Sequence, residues 1–151
     1  MTQDLVKGAV AGTAATALMS AVMLAGDRAG LMPDQPPKRI TRALLPGHKH
    51  RPKPGERVLS AIAHFGFGAA FGSLFSLLHR GRRAPILLGV GYGLAIWFVS
   101  YQGWVPRLGI LPPISEDLPE RQAVMAAGHV VYGTALALAV NRLNHESGHD
   151  G

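Results

Sequence analysis

The chain alternates between four long stretches without charged residues and shorter segments that hold every charge. The uncharged stretches are residues 8–26, 58–79, 84–106 and 122–141. Each is close to the roughly 20 residues that a helix needs to cross a bilayer, and none offers the charged face of a long soluble helix. The pattern predicts an all-α, integral membrane four-helix bundle, a single membrane domain over residues 1–151. We place the spans at about 8–26, 58–78, 85–105 and 122–141.

Two alternatives start from the same stretches. A soluble bundle with unusually apolar helices would require four such stretches to coincide by chance. The first stretch also resembles the core of a signal peptide, although its cleavage site is weak. We therefore predict that the first span is retained.

Small residues recur at every fourth position within each predicted span, which places them on one stripe of a helix. Small residues let membrane helices approach closely, so we expect these rows to be helix-packing surfaces. The 19 glycines and 11 prolines of the chain then need not indicate disorder, because 48% of the residues are hydrophobic. The packing glycines are Gly8, Gly12, Gly68, Gly72, Gly89, Gly93 and Gly133.

Two short motifs occur twice, in the same order. The pattern R-x-G-[LI]-[ML]-P covers residues 28–33 and 107–112, and H-x-x-[FY]-G covers residues 64–68 and 129–133. They predict a duplicated two-helix hairpin, whose copies would be parallel and related by a pseudo-twofold axis along the membrane normal. Coincidence in an apolar background is the alternative.

The first motif predicts two turns at the membrane interface, each with an arginine and a glycine. Arg28 and Arg107 can extend toward phosphate groups. Gly30 and Gly109 suit left-handed helix caps. Structural capping is the simplest role for all four residues.

The second motif places one histidine in span 2 and one in span 4. His64 follows Arg57 by seven residues and His129 follows Arg121 by eight, so both imidazoles would lie on the order of 10 Å inside the membrane. Ionisable residues at such depth suggest a function. The pair, with Ser100 and Tyr132 nearby, could bind a proton, a small ligand such as a quinone, or a metal or haem iron. Alternatively, each ring only hydrogen-bonds a neighbouring helix.

Composition narrows the cofactor. The chain has no cysteine and no C-x-x-C-H motif, so a haem or metal is possible but not favoured. The cofactor stays unknown. The predicted spans contain no carboxylate, which argues against a hydrolase or nuclease.

The loop over residues 27–57 carries eight of the 15 lysines and arginines. Pro36 and Pro37 can open a short helix there, lying on anionic lipid headgroups with its basic side chains outward; a solvated, partly ordered loop is the alternative. Ten basic residues on the side of this loop, against five on the other, favour the cytoplasm for it, although the basic turn at residues 79–83 opposes this. Juxtamembrane charge explains the net charge of +6, so we expect no nucleic-acid partner.

A resemblance to a known family rests on five segments of the sequence. They are residues 8–24 (GAVAGTAATALMSAVML), the R-x-G-L-x-P turn, the segment PPKRIT at 36–41, the H-x-x-F-G motif and the segment GWVPRLGILPP at 103–113. The chain is similar to the YagU-like, uncharacterised small bacterial inner-membrane proteins. The resemblance implies a multi-pass inner-membrane protein and supplies no catalytic residue.

Three hypotheses for function follow. The first is a non-enzymatic membrane bundle whose histidine pair binds a proton or small ligand, with a role in envelope stress. The second is an accessory or structural subunit of a larger membrane complex, or a homo-oligomer, with the small-residue rows as partner faces. The third is a b-type haem or metal protein.

Overall fold

The computed structural model describes residues 1–32, 35–48, 51, 53–80 and 82–147. Within these residues the chain is all-helical and has no strand, which confirms the predicted fold class. Residues 33–34, 49–50 and 52 of the basic loop lie outside the described residues. The helices are α1 (Thr2–Arg28), α2 (Pro36–Leu44), α3 (Glu56–His79), α4 (Ile86–Val99) and α5 (Pro119–Ser147).

Four of the helices are long and apolar enough to cross a membrane. They are Thr2–Arg28, Glu56–His79, Pro119–Glu146 and the segment Ile86–Arg107, in which α4 continues beyond Val99. Their outer surface is apolar: Leu87 is 83% exposed and Ile62 is 64% exposed. An apolar surface of this extent suits lipid rather than water.

The helices are longer than the predicted spans at most ends. α1 begins six residues before the predicted start at residue 8, and α5 ends six residues after the predicted end at residue 141. A helix satisfies its own backbone hydrogen bonds, so it can continue into the polar interface where charged residues begin. Hydropathy marks the apolar part of a helix, not its ends.

α1 is one of the two inner helices of the bundle. It packs against both α3 and α5, while α4 packs on the other side of α5 and α2 packs on α3. α3 and α4 meet through side chains, as where the Tyr92 hydroxyl donates a 2.8 Å hydrogen bond to the Phe71 carbonyl oxygen. The spatial order α3–α1–α5–α4 therefore leaves space between α3 and α4.

The contact between α1 and α3 is a contact between backbones. Gly8 and Gly12 of α1 face Gly68 and Gly72 of α3. A Cβ atom added at Gly72 would lie 2.7 Å from the Gly12 Cα and 2.9 Å from the Gly12 nitrogen. Only glycine leaves enough room for such an approach.

The contact between α4 and α5 has the same form. A Cβ atom at Gly89 would lie 2.7 Å from the Ala137 Cβ, and one at Gly133 would lie 3.0 Å from the Val90 nitrogen. Gly93 faces the carbonyl group of His129. The two hairpins, α1 with α3 and α4 with α5, are therefore each held by a row of glycines.

The turns that follow α1 and the α4 segment have matching backbones. Gly30 has a φ of 74° and Gly109 has a φ of 65°. The residue after each glycine donates a hydrogen bond to the carbonyl five residues earlier, at 2.9 Å and 3.2 Å. The next residues, Met32 and Leu111, are both buried. Both turns thus have the left-handed glycine of a Schellman-type cap.

A side chain of α5 fixes the turn between α3 and α4. The Asn141 amide accepts a hydrogen bond from the Ala84 nitrogen and donates one to the Ala84 carbonyl oxygen, both at 2.8 Å. Ala84 is buried, so these bonds satisfy backbone groups that water does not reach.

Candidate functional site

A cavity of about 290 Å³ lies among α1, α3, the α4 segment and α5, at the end of the bundle where α2 is found. Its walls are chiefly aromatic and thioether side chains: Met19, Met23, Phe67, Phe71, Trp97, Tyr101, Trp104 and Met125. Large apolar walls with a few polar groups are typical of small-molecule sites.

The four residues predicted from the sequence as a site all line this cavity. His64, Ser100, His129 and Tyr132 come from α3, the α4 segment and α5. The structure therefore brings them to a common space. Whether they bind anything stays a prediction.

Their hydrogen bonds differ from those expected between helices. The His129 Nδ1 lies 2.8 Å from the Met125 carbonyl oxygen on its own helix. The Tyr132 hydroxyl does reach another helix, donating to the Gly68 carbonyl oxygen at 2.8 Å. The His64 Nε2 is buried without a hydrogen-bond partner, so this nitrogen does not bond a neighbouring helix.

These contacts set the chemistry of each ring. A carbonyl oxygen only accepts, so the His129 Nδ1 must carry the proton, which leaves its Nε2 with a lone pair when the ring is neutral. The Trp97 Nε1 is a second buried nitrogen without a partner. A buried polar group without a partner costs about 1–3 kcal/mol, which a suitable ligand would recover.

The sequence did not reveal a buried polar cluster behind the cavity wall. Tyr101 is 1% exposed and donates its hydroxyl proton to Asp117. Asp117 also accepts a 2.6 Å bond from Arg121. The i, i+4 spacing of Asp117 and Arg121 is a signal that could have indicated their pairing. Nothing in the sequence indicates the bond from Tyr101.

α2 covers the cavity. The helix predicted to open at Pro36 and Pro37 is confirmed, with those prolines in its first turn. Both prolines, together with Ile40, Thr41 and Leu44, line the cavity. The basic loop thus contributes a wall to the site.

An ion pair holds α2 on α3. The Arg42 guanidinium makes two bonds to the Glu56 carboxylate, at 2.7 Å and 2.9 Å, and both side chains are about 10% exposed. The Lys53 ammonium donates to the carbonyl oxygens of Arg42 and Leu45, at 2.7 Å and 2.6 Å. Lys53 therefore caps the end of α2, where carbonyl groups lack helical partners.

The α4 segment has a π-helical turn at Ser100–Trp104, followed by one α-helical turn at Val105–Arg107. Gly12 and Gly89 are both tightly packed and have equivalent neighbours, so they are corresponding positions of the two hairpins. Arg28 follows Gly12 by 16 residues, whereas Arg107 follows Gly89 by 18, so this segment is two residues longer in the second hairpin. The π-helical turn lies within the longer separation and lines the cavity. π-helical turns are frequent at functional sites.

The remaining predicted residues lie at the ends of the spans. Arg28 and Arg107 are exposed, each just before its glycine turn, as interface positions would be. Among the described residues, no three His, Asp or Glu side chains are grouped so as to hold a metal ion. Among the described His, Asp and Glu side chains, a metal ion in the cavity would therefore have at most two ligands, the imidazoles of His64 and His129.

The fold and cavity define a class: a small all-helical protein with four helices that can cross a membrane, around an apolar cavity with a few polar groups. The chain belongs to the family of unknown function DUF6789, whose model matches residues 2–151. No curated protein matches the chain, and no solved structure does. The likeness to YagU-like proteins and the bacterial origin stay predictions.

Proposed function

We propose that this protein is a multi-pass membrane protein that binds a small, neutral, mainly apolar ligand in the cavity beneath α2. The observation that carries the proposal is the cavity of about 290 Å³ bordered by His64 and His129. An apolar cavity of this size stays dry and gains free energy when an apolar molecule fills it. The role is binding rather than catalysis.

The cavity wall favours a neutral ligand. Within the described part of the chain, no aspartate or glutamate is among the residues that line it. A cationic ligand, or a proton on a histidine, would thus meet no direct counter-charge, and burying an unpaired charge is costly. As the species bound by the histidine pair, a small molecule therefore has more support than a proton.

The two alternative functions have less support. The glycine rows, which an accessory subunit would offer to a partner, are occupied by contacts within the chain. The cavity is at the lower end of the roughly 300–1,000 Å³ usual for ligand sites, and a haem would need a larger space than this. A Soret band in the purified protein would restore the haem hypothesis.

The proposal includes location and origin. We place the protein in a bacterial inner membrane, with the basic loop on the cytoplasmic side and its lysines and arginines other than Arg42 and Lys53 near anionic headgroups. We also propose that the two hairpins arose by duplication. The shared glycine contacts and the matching turns at Gly30 and Gly109 support this origin. The halves differ at α2 and at the π-helical turn, and both of these segments contribute to the lining of the cavity.

The two tryptophans provide a direct test. Trp97 and Trp104 are the only tryptophans of the chain and both line the cavity. In nanodiscs, bromobenzene should quench their fluorescence with a saturable component, because a bromine atom in the cavity contacts the indole rings. Non-saturable quenching alone, as from bromobenzene dissolved in lipid, would contradict the proposal.

A pair of variants separates the cavity from the lipid. Ala63→Phe should fill the cavity and remove the saturable component, because Ala63 lines it. Ala61→Phe is the matched control on the same helix, since Ala61 is exposed and does not line the cavity. Identical quenching curves for the two variants would count against the site.

A further inference from the structure

We propose that the ligand is a bicyclic aromatic molecule with carbonyl oxygens attached to its rings, the chemistry of a naphthoquinone head group. This inference rests on the proposed function and names the ligand class for the same cavity. It depends on three features: the volume of the cavity, the unpartnered nitrogens of two residues that line it, and the position of its opening.

The volume sets the size of the ring system. An apolar cavity of about 150 Å³ holds one benzene ring in a known engineered case. The cavity described here has about 290 Å³, close to twice that volume, so it matches two fused rings. The aromatic walls formed by Phe67, Phe71 and Trp97 offer faces and edges for such rings.

The buried nitrogens call for oxygen atoms on the ligand. The Trp97 Nε1 is always a donor and has no acceptor in the structure. The His64 Nε2 also lacks a partner and donates in one of its two neutral tautomers. Two quinone carbonyl oxygens would accept from these two groups. The His129 ring donates a hydrogen bond through Nδ1. Its Nε2 would accept a hydrogen bond from a hydroxyl group of the reduced quinone.

The opening suits a ligand with a lipid-soluble substituent. Leu44 of α2 is the most exposed of the large hydrophobic lining residues at 69%, and two others, Phe67 at 40% and Trp104 at 37%, mark a further side of the opening. Phe67 and Trp104 lie on α3 and on the α4 segment, the two spans whose backbones do not pack closely. A chain attached to the ring would therefore leave between these helices into the apolar part of the bilayer.

Calorimetric titration of the full chain in nanodiscs, with empty nanodiscs subtracted, tests the ligand class. The probes are menadione (2-methyl-1,4-naphthoquinone) and 2-methylnaphthalene, which has the same carbon skeleton without the oxygens. Two additional hydrogen bonds predict that menadione binds at least about fivefold more tightly.

Two variants identify the groups responsible. Trp97→Phe and His64→Leu should each reduce the preference for menadione about threefold or more, while changing 2-methylnaphthalene binding less than twofold. Comparing the two probes on the unmodified protein keeps the test valid if a variant does not fold.

The outcomes separate this inference from the proposed function. If both probes bind with equal affinity, the oxygen-specific part is wrong and the apolar binding site stands. If neither probe binds, the inference is overturned, while the bromobenzene experiment still decides the proposed function independently. If a variant lowers affinity for both probes equally, that residue shapes the cavity and does not recognise oxygen.

Discussion

The glycine contact between α1 and α3 makes a sharp prediction for Gly72→Ala. The added Cβ would lie 2.7 Å from the Gly12 Cα, whereas carbon atoms in good contact are about 3.5–4.0 Å apart. The helices would have to separate by roughly 1 Å to restore that contact. The nearest atoms are backbone, so no side-chain rotation can relieve the overlap.

Gly66→Ala is the matched control on the same helix. A Cβ at Gly66 has nothing within 4 Å, so this variant should gain up to about 1 kcal/mol of helix propensity. Gly72→Ala gains the same propensity but adds an overpacking cost of about 1–3 kcal/mol. The difference between the two variants cancels propensity and isolates the helix contact.

Thermal unfolding in detergent, followed by circular dichroism, measures this difference. The unfolding midpoint of Gly72→Ala should lie roughly 2–12 °C below that of Gly66→Ala, from a shift of about 2–4 °C per kcal/mol at this chain length. Failure of Gly72→Ala alone to fold has the same meaning as a lowered midpoint. Equal midpoints would refute the close backbone approach of α1 and α3.

Three further changes probe the contacts around the cavity. Arg42→Met should leave the Glu56 carboxylate without its guanidinium and release α2, which increased trypsin cleavage in the basic loop would report. Tyr132→Phe should lower the free energy of unfolding by about 0.5–1.5 kcal/mol, measured by denaturant titration, because one hydrogen bond between helices is lost. Asn141→Leu should cost about 1–3 kcal/mol in the same titration, because two backbone groups lose their partners.

Matched controls exist for two of these changes. Arg142→Met removes an exposed i, i+4 ion pair with Glu146 and should leave trypsin sensitivity of the basic loop unchanged. Asn144→Leu, one turn after Asn141, removes a single long contact of 3.4 Å with Lys7 and should cost less than about 0.5 kcal/mol. For Tyr132→Phe, an unchanged free energy of unfolding would show that the hydrogen bond of the Tyr132 hydroxyl makes no net contribution to stability.

The absence of charge predicted the four long helices because lipid excludes charged side chains over a fixed thickness. Pro36 and Pro37 predicted α2 for a local reason, since proline suits the first turn of a helix. The ends of α1 and α5 were predicted less well, because a helix can extend into the interface without an apolar sequence. These features depend on residues close together in the chain.

The cavity depends on residues far apart in the chain, and hydropathy does not specify which helices become neighbours. The repeated motif indicated His64 and His129 at similar depth, and both do line the cavity. Trp97 and Tyr101 gave no such signal, since an aromatic residue near a span end equally suits an interface belt. The fold also places Asp117 against the Tyr101 hydroxyl, a contact between side chains 16 residues apart that hydropathy does not indicate.

The inner position of α1 has a consequence for the order of assembly. α1 meets α3 early in synthesis, but its other face waits for α5, which ends 68 residues after His79, at Ser147. At about 5–20 residues per second this interval is roughly 3–14 s. During that time the first hairpin stands in the membrane with Met19 and Met23 uncovered by α5. The cavity is thus the last part of the protein to form, and the proposed ligand could be taken up only after translation of the final helix.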